Sequence, residues 1–192
     1  MLSTRVLVFC APFLCLLSGC AYHFQGTSNP LSELGIRKIY VTEFRNKTYR
    51  PGIEQYFTTA MVREIARSRV LELVNSEKEA DAVLNGEIVS AESVPGTTKV
   101  FTVGESSPPA RVMNIATDYS SSVSCSVTLL DRRGRAVFFQ TINDSKVHPG
   151  FAKERDAGQT GPLVNDSEQR LSVQFLASLM MSSVYQRMID TF

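Results

Sequence analysis

Ala82-Val83-Leu84-Asn85-Gly86-Glu87-Ile88-Val89-Ser90-Ala91-Glu92-Ser93-Val94 is the stretch that decides the fold. Val83, Asn85, Glu87 and Val89 alternate with Leu84, Gly86 and Ile88, which is the two-residue period of a strand with unlike faces. Pro95 and Gly96 end it. A strand of this length must cover its apolar face, and the flanking sequence offers two helices to do so.

The first helix follows Pro51-Gly52. Ile53, Phe57, Ala60, Met61 and Ile65 recur at three- and four-residue spacing and so share one face. Glu54 falls in its first turn while Arg63, Arg67 and Arg69 crowd its last, as the helix dipole favours. The second helix closes the chain, with Asp166 predicted as its cap and Gln169 completing a capping box. Its buried face is predicted to run along Leu171, Phe175, Leu179 and Met188, broadened by Leu176, Met180 and Val184. Met180 and Met181 read as core fillers rather than an adaptable partner surface.

Ile36 to Phe44 is a further strand, with Ile39 and Val41 on one face and Tyr40, Thr42 and Phe44 on the other. Arg45-Asn46-Lys47-Thr48 turns the chain, and Val70 to Val74 is an edge strand or a packed connection. Tyr119 to Asp131 and Arg135 to Val147 form a hairpin about Arg132-Arg133-Gly134, where glycine supplies positive φ. The order is strand, helix, three strands, helix (β-α-β-β-β-α). It predicts an α+β two-layer sandwich in which two helices cover a mixed sheet of about four strands.

Two loops interrupt this plan. Pro95 to Thr117 carries Pro108-Pro109 and clustered Ser/Thr around the alternating Val100-Phe101-Thr102-Val103. It reads as a long excursion with a small ribbon of its own, and loops of this length are usually functional or disordered. Phe151 to Val164 bears Gly, Lys and Arg and reads as a second exposed loop.

At the start of the chain, Arg5 precedes an apolar run from Val6 to Leu17, and Leu17-Ser18-Gly19-Cys20 follows. This is a secretory signal, too short to span a bilayer, which needs roughly 20 apolar residues. It resembles a bacterial lipobox. The resemblance implies that Cys20 receives diacylglycerol on sulfur, that cleavage precedes it, and that an acyl chain such as palmitate is added to the freed amine. Ala21, where aspartate would retain the protein in the inner membrane, implies outer-membrane sorting. One acyl chain binds a membrane marginally; several make a lasting anchor. The expected organisation is a signal peptide at 1–19, a lipidated tether at 20–35 and a single domain at 36–192.

Removing residues 1–19 from the 192 leaves 173, a comfortable single domain. Losing Arg5 takes the basic count from 20 to 19, equal to the 19 acids, which argues against nucleic acid as a partner. Cys10 and Cys15 leave with the signal and Cys20 is consumed by lipid. Cys125 then has no intramolecular partner and reads as a buried strand residue.

No catalytic or metal-binding constellation is visible, and no cofactor is implied. His23 and His148 are isolated, and no H-E-x-x-H, P-loop or nucleophile-elbow spacing occurs. Ser120-Ser121-Ser122 is a polar run at a strand start, and Glu77 and Glu79 sit in a solvated turn. A binding module is expected, not an enzyme.

Three features together resemble one family. Cys20-Ala21-Tyr22-His23-Phe24 follows the lipobox. Val41-Thr42-Glu43-Phe44-Arg45-Asn46-Lys47-Thr48 leads to Pro51-Gly52-Ile53-Glu54. Ala80-Asp81-Ala82-Val83-Leu84-Asn85-Gly86-Glu87-Ile88 comes third. The chain is similar here to LptE, the lipopolysaccharide-assembly lipoproteins of the Gram-negative outer membrane. That resemblance implies a plug and assembly partner of the β-barrel LptD, assisting lipopolysaccharide transport from the periplasmic face. The strand and Phe-x-Asn-x-Thr before a helix also resemble lipoproteins that activate peptidoglycan synthases or build curli-type secretion assemblies, so an adaptor is the alternative. Lipopolysaccharide is anionic, so its site should offer cations from exposed segments. Lys99, Arg111, Lys153 and Arg155 are the candidate patch, since their loops should open at one end of the sandwich. Arg132 and Arg133, at the other end, are left as barrel or solvent contacts.

Overall fold

The computed structural model describes residues 30–103, 111–150 and 162–190. Its frame is three long antiparallel strands: β4 (Ala82–Pro95), β7 (Asp118–Asp131) and β8 (Ala136–Pro149). Two short strands extend the frame: β1 (Lys38–Val41) lies parallel to β4, and β3 (Glu72–Leu73) lies parallel to β1. Farther along β4 sits β2 (Arg45–Asn46), so the main sheet runs β3-β1-β4-β7-β8 with β2 as a side branch. The excursion after β4 is a separate ribbon of β5 (Thr98–Val103) and β6 (Arg111–Ala116). The two-layer α+β sandwich is as expected. Six strands in the main sheet exceed the expected four because β2 and β3 are two-residue pieces with no readable period.

Among the described residues three α-helices accompany the sheet: α1 (Pro30–Glu33), α2 (Ile53–Ser68) and α3 (Pro162–Asp190). On α2 the buried residues are Ile53, Phe57, Ala60, Met61 and Ile65, the set that its spacing predicts. Together with Leu84 and Ile88 of β4 and Cys125, Val127 and Leu129 of β7 they belong to one continuous core. Full burial of one such side chain contributes about 1.5–3 kcal/mol. The helices are also tied to each other, since the buried Tyr185 hydroxyl of α3 donates to Ser68 Oγ at the end of α2. Among the described residues no helix is long and apolar enough to cross a membrane.

Four expectations need correction. On α3 the buried stripe is Val173, Leu176, Ala177, Met180, Met181, Val184, Tyr185 and Met188, whereas Leu171, Phe175 and Leu179 are 57%, 51% and 49% exposed. The helix carries apolar residues around much of its circumference, so three- and four-residue spacing fits two overlapping stripes and does not choose between them. Asp166 is not the cap: α3 begins a turn earlier at Pro162, a residue suited to a first helical position, and Asp166 pairs with Arg170 at 2.8 Å. Phe44 is buried, not on the open face with Tyr40, because β1 ends at Val41 and the chain bends before β2. Lastly, the alternation along β4 breaks at a bulge between Ile88 and Ser90, leaving Val89 exposed while Ala91 returns to the core side.

Candidate functional site

The motifs that carry the family resemblance are two halves of one contact. Thr42 Oγ1 donates to Asn85 Oδ1 at 2.9 Å, and Lys47 pairs with Glu87 at 2.6 Å. Between these polar links the Phe44 ring lies over Gly86, so closely that a methyl group on Gly86 would overlap it. Gly86 is thus required by close approach rather than by a turn. Asn46 then organises the path into α2. Its amide donates to the Arg50 carbonyl (2.6 Å) and to Glu54 (2.8 Å), and its carbonyl oxygen accepts from the Thr48 amide (2.9 Å) and hydroxyl (2.8 Å). Glu54 also accepts from the Gly52 amide, and Thr58 Oγ1 accepts from the Phe44 amide.

Asp81 closes the other end. Its carboxylate accepts from the amides of Arg37 and Lys38 and pairs with Arg132 at 2.9 Å, while Arg132 Nε donates to the Ala80 carbonyl. Arg132 is thus tied to the fold through Asp81 and Ala80 while most of its side chain stays open to solvent, and Arg133 is exposed as well. Burial raises the Asp81 carboxyl, but the Lys38 and Arg37 amides and the Arg132 and Lys38 charges outweigh it and hold the group below its ordinary range. Glu54 is likewise lowered, chiefly by its own backbone amide, against burial, with help from Asn46 and Gly52. Carboxyls lowered in the folded state contribute stability above their unfolded values, about pH 4, and lose it as pH falls through the folded ones. The melting temperature of the mature chain should therefore hold near neutrality and decline below about pH 4. Asp81→Asn should melt lower than wild type at pH 7 and decline less steeply in acid; an unchanged acid slope would contradict this.

The sheet face opposite the helices is open and polar. Across it lie Ser90 of β4, Ser122, Ser124, Ser126 and Thr128 of β7, and Thr141, Asn143 and Ser145 of β8, with Phe139 exposed beside them. Three shallow grooves follow this face. One is bounded by Asp81, Asn85, Asp131 and Arg132, a second by Thr42, Arg45, Glu87 and Ser126, and a third by Ser90, Ser122, Asn143 and Ser145. Each is open to solvent and offers hydroxyl and amide hydrogen bonding.

Of the four candidate cations, the described residues hold two. Lys99 is exposed on β5 opposite Ile115, and Arg111 on β6 is opposite Val103. They occupy opposite strands about four residues apart along the ribbon, roughly 13 Å. Lys153 and Arg155 lie outside the described residues, as does Cys20. The end from which the ribbon leaves is also the end of β8: Pro95 pairs with Tyr119, Asp118 with Pro149, and the Gly150 amide donates to the Thr117 carbonyl. The ribbon and the 151–161 connection therefore depart from the same end, and the Arg132-Arg133 turn lies at the other.

One pairing escaped the sequence. His148 Nε2 is 3.0 Å from Ser121 Oγ, with Ser93 at 3.3 Å from that hydroxyl and the Tyr119 ring stacked on the imidazole. Residues 121 and 148 face each other only because β7 and β8 pair in this register, which spacing along the chain does not show. Ser121 is wholly buried and His148 nearly so, and among the described residues no carboxylate orients the imidazole, whose Nδ1 faces the Pro149 carbonyl. The cluster satisfies polar groups at the end of the core. Cys125 is buried as expected, and burial pushes its thiol up to about 12. Among the described residues no three His, Cys, Asp or Glu side chains gather as a metal site would require.

The LptE family model, described as lipopolysaccharide-assembly, matches residues 36–188. The chain belongs to the LptE family. Curated proteins give no match. Among solved structures it is similar to a hypothetical protein from Chlamydia trachomatis, at 12% identity over 82% of this chain and 99% of that one, with TM-score 0.49. It is also similar to a PelC dodecamer from Paraburkholderia phytofirmans (13%, 80% and 86%, TM-score 0.45). A minor lipoprotein from Acinetobacter baumannii gives 11%, 79% and 92%, with TM-score 0.44.

In this LptE-family domain the recognisable motifs build the frame. Thr42, Phe44, Asn46, Lys47, Asp81, Asn85, Gly86 and Glu87 are spent on one another or on the chain between them. The surfaces left to meet partners are the open sheet face, the ribbon end and the exposed side of α3.

Proposed function

We propose that this LptE-family chain is an outer-membrane lipoprotein, held on the periplasmic face through acylated Cys20, that assists lipopolysaccharide transport and assembly as plug and partner of an LptD-type β-barrel. The family match across 36–188, on a domain whose motif residues interlock, carries this reading. The open face supports it. Barrel interiors are polar, and a flat face of Ser, Thr and Asn side chains can lie against such a wall without burying unpaired charge. The role is one of binding and assembly rather than catalysis.

Lys99, Arg111, Lys153 and Arg155 are proposed to meet the phosphates and acidic sugars of lipopolysaccharide at the ribbon end. The test is complementation in a Gram-negative strain depleted of its own LptE. The wild-type chain should restore newly made lipopolysaccharide to the cell surface, scored by accessibility to external modifying enzymes. Charge reversal of the four residues should lower that restoration several-fold at unchanged chain level. Equal restoration would remove the patch, and failure of the wild-type chain itself would remove the assigned role.

A further inference from the structure

We propose that the end of the sandwich where the chain enters docks on the membrane, with Leu34, Val70 and an outward layer of arginines set against anionic phospholipid headgroups beside the anchor. The inference rests on the acylation of Cys20 proposed above and does not involve the barrel.

Backbone register gathers this surface from separate stretches of chain. The Ile36 amide donates to the Leu31 carbonyl, so Pro30 lies just outside the start of β1. β3 pairs in parallel with β1, Lys38 opposite Glu72, which brings Val70 level with Ile36. The end of α2 feeds β3 here, and Asp81, just before β4, holds the Arg132 turn at the same end. Leu34 and Val70 are 53% and 44% exposed.

The charges around them face one way. In three ion pairs the guanidinium is the outer partner: Arg67 over Glu64, Arg132 over Asp81 and Arg135 over Asp131. The arginine side chains are 71%, 64% and 69% exposed and the carboxylates 13%, 21% and 13%. Arg37, Arg69 and Arg133 are exposed and form no ion pair among the described residues. Against these stand the exposed acids Glu33, Glu79 and Asp190, and Glu72, which pairs with Lys38. Glu77 and Lys78 border the open-face groove with Thr42 and Asn85 instead. Exposed apolar side chains ringed by cations suit a bilayer interface, where the first enter between headgroups and the second meet phosphates.

The reach of the tether selects the same end. Ten residues separate Cys20 from Pro30 and span at most about 35 Å. The 14-residue strand β4, which leads from this end to the ribbon, is roughly 46 Å long. A domain standing on its ribbon end would lift Pro30 farther from the bilayer than the tether extends, whereas a domain standing on its entry end needs little of that length.

The experiment uses the full chain, matured and acylated in a Gram-negative envelope, purified in detergent and reconstituted on vesicles of phosphatidylethanolamine with phosphatidylglycerol. The sequence has no tryptophan, so a single introduced one reports its own surroundings. Val70→Trp and Leu34→Trp should be quenched by brominated phospholipid and emit to the blue of Val112→Trp, which lies on the ribbon at the far end. Replacing phosphatidylglycerol by phosphatidylcholine, raising the salt, or adding Arg37→Glu, Arg69→Glu and Arg133→Glu together should cut that quenching several-fold. Equal quenching at Val70→Trp and Val112→Trp overturns the proposal. So does quenching indifferent to lipid charge, or none at either entry-end position in a chain that floats with the vesicles. A chain that fails to float removes the anchor, and the docking with it.

Discussion

Phe57→Ala is expected to destabilise this LptE-family domain by about 3–5 kcal/mol, a large share of the 5–15 kcal/mol typical of a domain. Phe57 is wholly buried on the inner face of α2, with its ring centroid 6.1 Å from that of Phe44. Truncation removes a filler from the layer between helix and sheet, and the neighbouring strands cannot close the space. Thermal denaturation in detergent, followed by circular dichroism, should show a midpoint lower by about 10 °C. The contrasting substitution is Phe175→Ala. With half its surface exposed, its loss should leave the midpoint near wild type. A large drop for Phe175→Ala together with none for Phe57→Ala would mean the helix faces are assigned the wrong way round.

The second large effect concerns Phe44 and Gly86. Phe44→Ala should cost about 3–5 kcal/mol by cavity formation, and Gly86→Val about 1–3 kcal/mol or more by forcing the ring from its place. The pair is diagnostic because the effects should not add. Once Phe44 is alanine, the space above Gly86 is free and the valine side chain has room. The double variant should therefore be less destabilised than the two single losses together, by more than about 0.5 kcal/mol. Strict additivity would show that the ring and the glycine are not in contact. This contact lies between the two motifs by which the family is recognised, so the cycle also measures why those motifs occur together.

The sequence was legible where one period governs. The α2 face is legible because its apolar residues form a single stripe, and β4 is legible as far as the bulge at Ile88–Ser90. Legibility failed where local rules are degenerate. Two stripes coexist on α3, and only docking against β7, β8 and α2 decides that Val173 and Ala177 face inward while Leu171 and Phe175 do not. Alternation along β1 does not place Phe44, because a bend after Val41 changes the side to which later residues point. Contacts made by sheet register have no signature along the chain. The Ser121–His148 pair and the Thr42–Asn85 link are of this kind, and the nearness of Lys146 to Phe175 depends likewise on how the last helix packs on β8. For the candidate cations, the topology supplies the common end at which their segments emerge, while two of the four lie beyond the described residues.

The central claim is that this lipoprotein works as the partner of an outer-membrane β-barrel. Affinity purification of the tagged full-length chain from detergent-solubilised outer membranes tests it most directly. The account predicts one large co-purifying protein whose gel mobility shifts on heating, as a folded barrel's does, together with a mature amino terminus acylated at Cys20. Recovery of a penicillin-binding enzyme in place of a barrel, or fractionation of the chain with the inner membrane, would contradict it.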